Sequence, residues 1–218
     1  PLALSVLVNN TSDYAARVGE TLTYSLVYRN GAGVDLENVT IKAKLTGEMF
    51  DFNTLKSQGA FDTFEKMVTW NASHLPELAK VASGGEGQVE VEVKVKDNFL
   101  IRRLSDKNYV LKFQAEITSP TAVPELGEGK LMSVVNIETK VAGLVEVDSK
   151  AYFRDAPSGI LNAGPFPPKA GQATQYTLHW ILKNYATDLE NVKISAALPA
   201  GVRWTGKVKS NSGSDPAF

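Results

Sequence analysis

The chain contains no cysteine among its 218 residues. This absence excludes disulfides, thiol nucleophiles and zinc sites built on cysteine. Small secreted domains of eukaryotes usually depend on disulfides, whereas larger domains can rest on their hydrophobic cores alone. The composition is therefore more typical of an exported prokaryotic protein.

An excess of charge is missing as well. Lys and Arg number 23 against 24 Asp and Glu, and no basic run is longer than Arg102-Arg103. Nucleic acids and anionic membrane surfaces are therefore poor candidates for partners. The sequence also lacks an apolar stretch of about 18 residues, the length that indicates a spanning helix. Attachment to a membrane would have to come from an anchor outside this sequence.

Histidine is scarce, with only His74 and His179 in the whole chain. A transition-metal site or a Ser-His-Asp triad needs a histidine with converging partners, and the spacing offers no second ligand for either residue. We expect both to be ordinary surface histidines. The sequence thus predicts no catalytic residues, no bound cofactor and no enzyme activity.

Alternation of apolar and polar residues, the period of a half-buried β-strand, is abundant. In residues 88–96 valines alternate with mostly charged residues, which predicts an antiparallel sheet with one wet face. Seven strands separated by turns indicate an all-β, immunoglobulin-like sandwich, and a single helical turn is expected at 73–80 with Ser73 as its cap. The predicted strands are 2–9, 21–28, 39–45, 67–70, 88–96, 109–118 and 131–141.

An internal repeat is the most informative feature of the sequence. The segment 35–39, Asp-Leu-Glu-Asn-Val, recurs letter for letter at 188–192. Upstream, 19–28 aligns with 171–180, and downstream 41–47 aligns with 194–201. A register held over roughly 30 residues with a single gap indicates one module used twice, and such arrays more often support and space than catalyse.

The repeat predicts two domains, 1–142 and 143–218, as tandem immunoglobulin-like sandwiches. Their spacing of about 150 residues exceeds a minimal sandwich of about 100, so each copy should carry long loops or extra strands. The first copy passes almost directly into the second, so we expect a short junction that limits bending. The second copy holds only its N-terminal half, and the chain starts with Pro1 rather than Met, so we expect a piece of a longer polypeptide.

Half a sandwich exposes an apolar face and open sheet edges, which tend to pair with another chain. We therefore expect self-association through the incomplete second domain. Its inner face would consist of Tyr176, Leu178, Trp180, Ile194 and Leu198.

The repeated pattern resembles a known family. It reads G-x-x-x-x-Y-x-L-x-[Y/W], then Asn, a polar turn, N-V-x-I-x-A-x-L and P-x-G, and it matches best between Tyr176 and Val202. It is similar to bacterial and archaeal surface repeat domains, a domain of unknown function found in tandem arrays on exported proteins. The first copy departs from the pattern at 45–47, Leu-Thr-Gly. The resemblance implies an immunoglobulin-like fold, a cell-surface location and neighbouring repeats as partners, and it implies no shared catalytic residues.

Four acidic residues could lie near the domain junction and hold calcium. They are Glu125, Glu128, Asp148 and Asp155. Calcium takes six to eight oxygen ligands, and the D-x-D-x-D run typical of its loops is absent. Solvated charge is the alternative interpretation.

The repeated Asp-Leu-Glu segments, 35–37 and 188–190, could be read as the paired acids of a glycoside hydrolase. Because they recur at a turn in both copies, a structural role is favoured. We expect Leu36 and Leu189 to fold inward while the acids face water.

Aromatic residues could form a stacking platform for carbohydrate. Tyr28, Trp70, Trp180 and Trp204 are the candidates, but Tyr28 and Trp180 hold equivalent positions where a sandwich core takes a large ring. Trp204, beside Arg203, is the remaining possible ligand contact.

These observations together favour a structural stalk or spacer module of an exported, extracellular prokaryotic repeat protein, with adhesion as a further role. The alternative is a carbohydrate- or ligand-binding β-sandwich module. Loss of glycan binding on mutation of Trp204 would favour the alternative.

Overall fold

The structure, a computed structural model, describes residues 2–103, 105–122 and 131–210. The chain divides into two compact units. The first consists of Pro1–Leu144 with Tyr185–Asp188, and the second of Val145–Asn184 with Leu189–Phe218. The described residues contain no α-helix, only β-strands and two single-turn 3-10 helices, Pro76–Ala79 and Ala156–Ser158.

The described strands are numbered in chain order. They are β1 (Leu2–Val8), β2 (Ala15–Ala16), β3 (Thr21–Asn30), β4 (Leu36–Glu37), β5 (Thr40–Thr46), β6 (Phe50–Ser57), β7 (Ala60–Asp62), β8 (Met67–Trp70), β9 (Lys80–Val81), β10 (Glu86–Val95), β11 (Val110–Ser119), β12 (Leu131–Val141), β13 (Leu144–Tyr152) and β14 (Thr177–Tyr185).

The first unit is an immunoglobulin-like sandwich. One sheet has the order β1-β3-β10-β6 and the other β2-β12-β11-β5-β8-β7, with β4 and β9 forming a small third sheet. The strands β1, β3, β10 and β6 take the places of A, B, E and D in an immunoglobulin domain, while β5, β11 and β12 take those of C, F and G. The strands β7 and β8 extend the second sheet beyond β5. The fold class predicted from the alternation is confirmed.

Alternation of burial along the strands explains why these segments pair face to face. Every second residue of β1 is buried, and in β10 the four buried residues are the valines at 89, 91, 93 and 95. Across the two sheets the ring of Tyr24 in β3 stacks on Phe113 in β11, with centroids 4.1 Å apart. Each sheet therefore buries one face and leaves the other in water.

The core of the first unit contains the residues predicted to be buried. These are Leu22, Tyr24, Leu26, Tyr28, Ile41, Ala43, Val91 and Val93, and none is more than 4% exposed. Burial raises the pKa of Tyr24 to about 12, and the nearby Thr139 hydroxyl partly offsets this rise. All seven predicted strands are present, with ends that differ by two residues at most.

One local prediction in the first unit was wrong, and some strands were missed. The helical turn begins after Leu75, which makes no side-chain cap, so Ser73 does not cap it. Pro76 at the first position is the feature that favours the turn. The strands β6 and β7 were not predicted, because residues 50–62 mix apolar and polar side chains on half-buried edge positions.

The second unit contains a two-stranded sheet, β13 with β14. Residues 153–176 between these strands contain four prolines, which cannot donate to a strand ladder, and form a loop. From the repeat, the second copy should also contain a strand equivalent to that at 39–45, but residues 189–210 contain no strand. The aligned strand β5 is held between β8 and β11, and no such partners occur among the described residues of the second unit.

Candidate functional site

The two ends of the first unit lie at opposite ends of its strands. Leu2, the first residue of β1, pairs with Asn30 at the end of β3, while Val8 pairs with Tyr24 near its beginning. The start of β3 lies beside the end of β10, since the backbone N–H of Val95 donates to the carbonyl oxygen of Glu20.

The last residues of β10 and of β12 lie at the same end of the sandwich. Val95 pairs with Phe50, which follows the end of β5 by four residues, and Thr46 pairs with Lys112 near the start of β11. The start of β11 pairs with Lys140 at the end of β12. The chain thus enters the sandwich at one end and leaves it at the other.

A short parallel pairing joins the beginning and the end of this unit. Ala15 and Ala16 of β2 pair in parallel with Lys140 and Val141 of β12. One residue further, the backbone N–H of Ala142 donates to the carbonyl oxygen of Ala16 at 2.8 Å. A force along the strands would load all the hydrogen bonds between β2 and β12 at once, because the two strands would have to slide past each other.

The exit from β12 is fixed by a close contact at Gly143. A Cβ atom at this position would lie 2.2 Å from Cγ2 of Thr187 and 2.7 Å from the carbonyl oxygen of Tyr185, so only glycine fits. Ala186 of the same segment is buried, and its carbonyl oxygen accepts a hydrogen bond from the N–H of Asn108. Only Ala142 and Gly143 separate β12 from β13.

The aspartates of the repeated segments have structural partners. Asp35 pairs with Lys80 at 2.9 Å and accepts the Ser83 N–H, and these two contacts, Lys80 first, lower its pKa. Asp188 pairs with Lys107 at 2.5 Å and with the Asn108 side chain, and in the same way its pKa is lowered. The carboxylates thus anchor turns.

The leucines of these segments differ between the copies. Leu36 is fully buried, as predicted, and Leu189 is half-buried. The two copies also share a backbone conformation. Asn38 and Asn191, which align in the repeat, are both left-handed, with φ of 49° and 53°. The repeated letters therefore correspond to a repeated turn.

The apolar face predicted for the second unit is exposed. Tyr176, Leu178 and Trp180 are 42%, 52% and 41% exposed, and Ile194 and Leu198 are 37% and 43% exposed. The expectation that Trp180 is a core residue was wrong. Its counterpart Tyr28 is buried inside the sandwich and pairs with Gly87 of the neighbouring strand β10, whereas β14 has only β13 beside it among the described residues.

A buried acid and a histidine form a close polar pair in the second unit. Oδ2 of Asp155 lies 2.5 Å from Nε2 of His179, and the Asp155 side chain is 3% exposed against 31% for His179. The Ser158 side chain and then His179 lower the pKa of Asp155 by hydrogen bonding. His179 is therefore not an ordinary surface histidine. Tyr152 packs on its ring, with centroids 4.8 Å apart.

This pair stabilises a loop. Asp155 follows β13 and His179 lies on β14, so the contact ties the loop to the strand. The side-chain amide of Asn162 adds hydrogen bonds to the carbonyl oxygens of Tyr152 and Phe153 and to the Thr177 hydroxyl. Sequence reasoning missed this network, because its partners are far apart in the sequence and follow no metal or triad spacing.

Two of the four candidate calcium ligands, Glu125 and Glu128, lie outside the described residues. Asp148 pairs with Lys150 at 3.1 Å, and Asp155 is occupied by His179. Within the described ranges no group of three or more His, Asp or Glu side chains is arranged to hold a metal ion. Nor does any helix in those ranges have the length and apolar character to cross a membrane.

Of the four candidate platform residues two are buried and two are exposed, and Trp180 is one of the exposed pair. Tyr28 and Trp70 belong to the core of the first unit, at 4% and 0% exposure, so they offer no stacking surface. Trp204 is 42% exposed and Arg203 is exposed, both in a segment without strands. The contact proposed for these two residues with a ligand stays a prediction.

Comparison with known proteins finds a weak likeness to solved structures and no similar sequence. No protein-family model matches the sequence, and no curated protein matches it. The C-terminal domain of the Streptococcus pyogenes antigen I/II-family protein AspA is similar in structure, at 10% identity over 71% of this chain, with a TM-score of 0.45.

Two pilins are similar as well. The major pilin subunit BcpA of Bacillus cereus has 6% identity over 85% of this chain and a TM-score of 0.42, and the major pilin SpaD of Corynebacterium diphtheriae has 13% identity over 79% and a TM-score of 0.41. The chain spans about half of each of these structures, 56% of AspA, 56% of BcpA and 48% of SpaD. At such scores the likeness carries no argument about this chain.

Proposed function

We propose that this chain is a structural spacer module of an exported prokaryotic surface protein. The observation that supports the proposal most directly is the position of the chain ends in the first unit, at opposite ends of the strands. A domain entered at one end and left at the other adds its full length to an array. Repeats of this kind would extend whatever lies beyond them, with adhesion as a further role.

The duplication of the domain belongs to the same proposal. Gly19 and Gly171 align in the repeat and have nearly the same left-handed φ, 75° and 74°. The asparagines at 38 and 191 agree in the same way. We propose that 1–142 and 143–218 derive from one module used twice, and that neighbouring repeats of one polypeptide are its partners.

The parallel pairing of β2 with β12 gives the spacer its mechanical resistance. Pulling between Ala3 and Ala142, both exposed and near the two ends, should shear β2 against β12. Pulling between Thr118 and Met132, which pair near the loop end of the β11–β12 hairpin, should separate those strands one hydrogen bond at a time.

The chain has no native cysteine, so each pair of positions can be changed to cysteine to attach handles for single-molecule force measurement. We expect the unfolding force to be several times higher for the pair at 3 and 142. Equal forces in the two directions would contradict a role in bearing tension.

Ligand binding is the alternative function, and the exposed rings of Trp180 and Trp204 are the observation that favours it. Aromatic rings of this kind stack on apolar faces of ligands. A glycan array probed with the chain and with Trp204→Ala tests this alternative. Specific binding that disappears in the variant would support a binding module, and an array without signal would favour the spacer.

A further inference from the structure

The first unit holds a turn, residues 185–188, at the end where the chain leaves the sandwich. The backbone N–H of Asn108 donates to the carbonyl oxygen of Ala186 at 3.0 Å. Oδ1 of Asp188 lies 2.5 Å from Nζ of Lys107. The third contact is made by Gly143, on which Thr187 packs. The residues that hold the turn, called the exit-end site below, are Lys107, Asn108 and Gly143.

The exit-end site takes a turn of defined shape. Ala186 is left-handed, with φ of 60°, a conformation that is costly for alanine, and it is only 7% exposed, so packing in the first unit holds it there. A Cβ atom at Gly143 would come 2.2 Å from Cγ2 of Thr187, so the branched side chain fills the space above the glycine. The site therefore holds a left-handed residue, then a branched side chain, then an aspartate.

The first copy carries a turn of the same shape. The letter-for-letter repeat fixes the alignment, and counting back from it pairs Gly33 with Ala186, Val34 with Thr187 and Asp35 with Asp188. Gly33 is left-handed as well, with φ of 77°. Valine has the branched shape of threonine, with a methyl group in place of the hydroxyl. Residues 32–35, called the entry turn below, thus match the turn that the exit-end site holds.

The entry turn lies at the end where the chain enters the first unit. It follows Asn30, which pairs with Leu2, the first residue of β1. Among the described residues, no atom beyond its chain neighbours lies within 4 Å of a Cβ position at Gly33. Val34 is 37% exposed although it is apolar. The turn is therefore accessible at the end where a preceding repeat would join.

We propose that the entry turn docks on the exit-end site of a preceding repeat of this kind, as residues 185–188 pack within the first unit. Val34 covers the glycine of the preceding repeat, and Asp35 pairs with its lysine. Asp35 already pairs with Lys80, but its side chain is 44% exposed and a carboxylate has lone pairs for a further donor. The inference rests on the proposed duplication and names the surface that a neighbouring repeat contacts, whereas the force measurement tests the spacer function on a single chain.

The test uses a fused chain in which residue 143 of a leading first unit is followed directly by residues 2–218 of a whole chain. The leading copy buries its own core, and the join resembles the native one because Leu2 and Leu144 each begin a strand. The exposed Gln114, in the middle of β11, is changed to cysteine in both copies and spin-labelled, since the chain has no native cysteine.

Distances between the two labels are measured by double electron–electron resonance at low ionic strength, where exposed charges are least screened. We expect one narrow distance distribution, because the docked turn fixes the leading copy against the following one. Domains without such a contact move relative to each other. A broad distribution for the fused chain would overturn the proposal.

Two variants of the following copy test the turn. Val34→Asp should widen the distribution at least about twofold, because a charge would be buried against the glycine of the leading copy. Val34→Thr, which introduces the residue type found at 187, should leave it narrow. In the unfused chain both variants should unfold at the same urea concentration as the parent, since this side chain is exposed there. A narrow distribution for Val34→Asp would contradict the proposal, since another contact would then hold the copies.

The variant Lys107→Glu tests the other side of the contact. In the leading copy it should widen the distribution, because it places a carboxylate beside Asp35 of the following copy. In the following copy the same change is the matched control and should leave the distribution narrow, since there the lysine pairs with Asp188 of its own chain. An equal effect in the two copies, or no effect in either, would contradict the proposal.

Discussion

The strands β3 and β14 carry aligned stretches of one sequence pattern in two different surroundings. Strand β3 has a neighbour on each edge and a second sheet over its apolar face, with the ring of Phe113 stacked on Tyr24. Strand β14 has one neighbour, and the residues aligned with the core of the first unit remain exposed. The comparison teaches that the pattern specifies which side of a strand is apolar, while burial depends on strands that come later in the chain.

The turns of the two copies agree better than their cores. The aligned asparagines and glycines keep their left-handed backbone in both units, because turn geometry depends on nearby residues alone. A strand depends on distant pairing, and for this reason the segment aligned with β5 forms no strand in the second unit. Variants at aligned positions can therefore separate local from long-range contributions to the free energy of unfolding.

The largest expected difference concerns the aligned tyrosines. Tyr24→Ala should lower the free energy of unfolding of the first unit by about 3–5 kcal/mol, the range for a large aromatic truncated in a core. Tyr176→Ala should cost less than about 1 kcal/mol, because its ring is already 42% exposed. Urea unfolding of both variants measures this, and equal losses would break the comparison.

A smaller loss is expected at the exit of the first unit. Gly143→Val should lower the free energy of unfolding by about 1–3 kcal/mol, because its side chain would collide with Thr187 and the backbone of Tyr185. Gly159→Ala is a useful control, since no atom lies within 4 Å of its Cβ position and only its φ of 69° opposes the change. A Gly143 variant as stable as the parent would show that the segment 185–188 does not pack on this glycine.

Aligned glycines should behave alike despite the different cores. Gly19→Ala and Gly171→Ala should each lose about 1–2 kcal/mol from the left-handed backbone that both residues adopt. Melting of each unit, followed by nuclear magnetic resonance, compares the two losses. A clear loss at position 19 with none at 171 would mean that the second copy does not hold its turn in solution.

The smallest expected effect is an acid-induced weakening of the second unit. The pKa of Asp155 is lowered in the folded chain, so its carboxylate stabilises that unit above the ordinary aspartate value, about 4, and the contribution is lost as the pH falls through the lowered value. Asp155→Asn should reduce this pH dependence, and Asp148→Asn, at a more exposed carboxylate, should not. An acid titration followed by the ring signals of His179 checks the prediction.

The sequence was sufficient for most of the first unit. Seven strands and the inward set of β3, β5 and β10 follow from alternation, because a one-residue slip would expose the whole set. Edge strands such as β6 escaped prediction, since half-buried positions do not alternate clearly. Buried polar groups escaped it too. The side-chain amide of Asn30 donates to the carbonyl oxygens of Val34, Val81 and Ala82, a set of partners that no local pattern contains.

The candidate site was predicted only in part. Alignment with the first copy identified Tyr176, Leu178 and Trp180 as one apolar side, and it gave no sign that Asp155 and His179 meet. Such a pair depends on how the loop after β13 returns to β14. The exposure of Trp180 could not be read from the residue itself, because its counterpart Tyr28 is buried by a distant strand.

Hydrogen exchange at single amides of the whole chain tests the central comparison most directly. A closed sandwich opens only with global unfolding, whereas a two-stranded sheet opens locally. We predict that the amides of β3 exchange many times more slowly than those of β14, with protection in β14 confined to the side that pairs with β13. Equal protection of the two strands would contradict the account, since it would mean that β14 is already covered in the isolated chain.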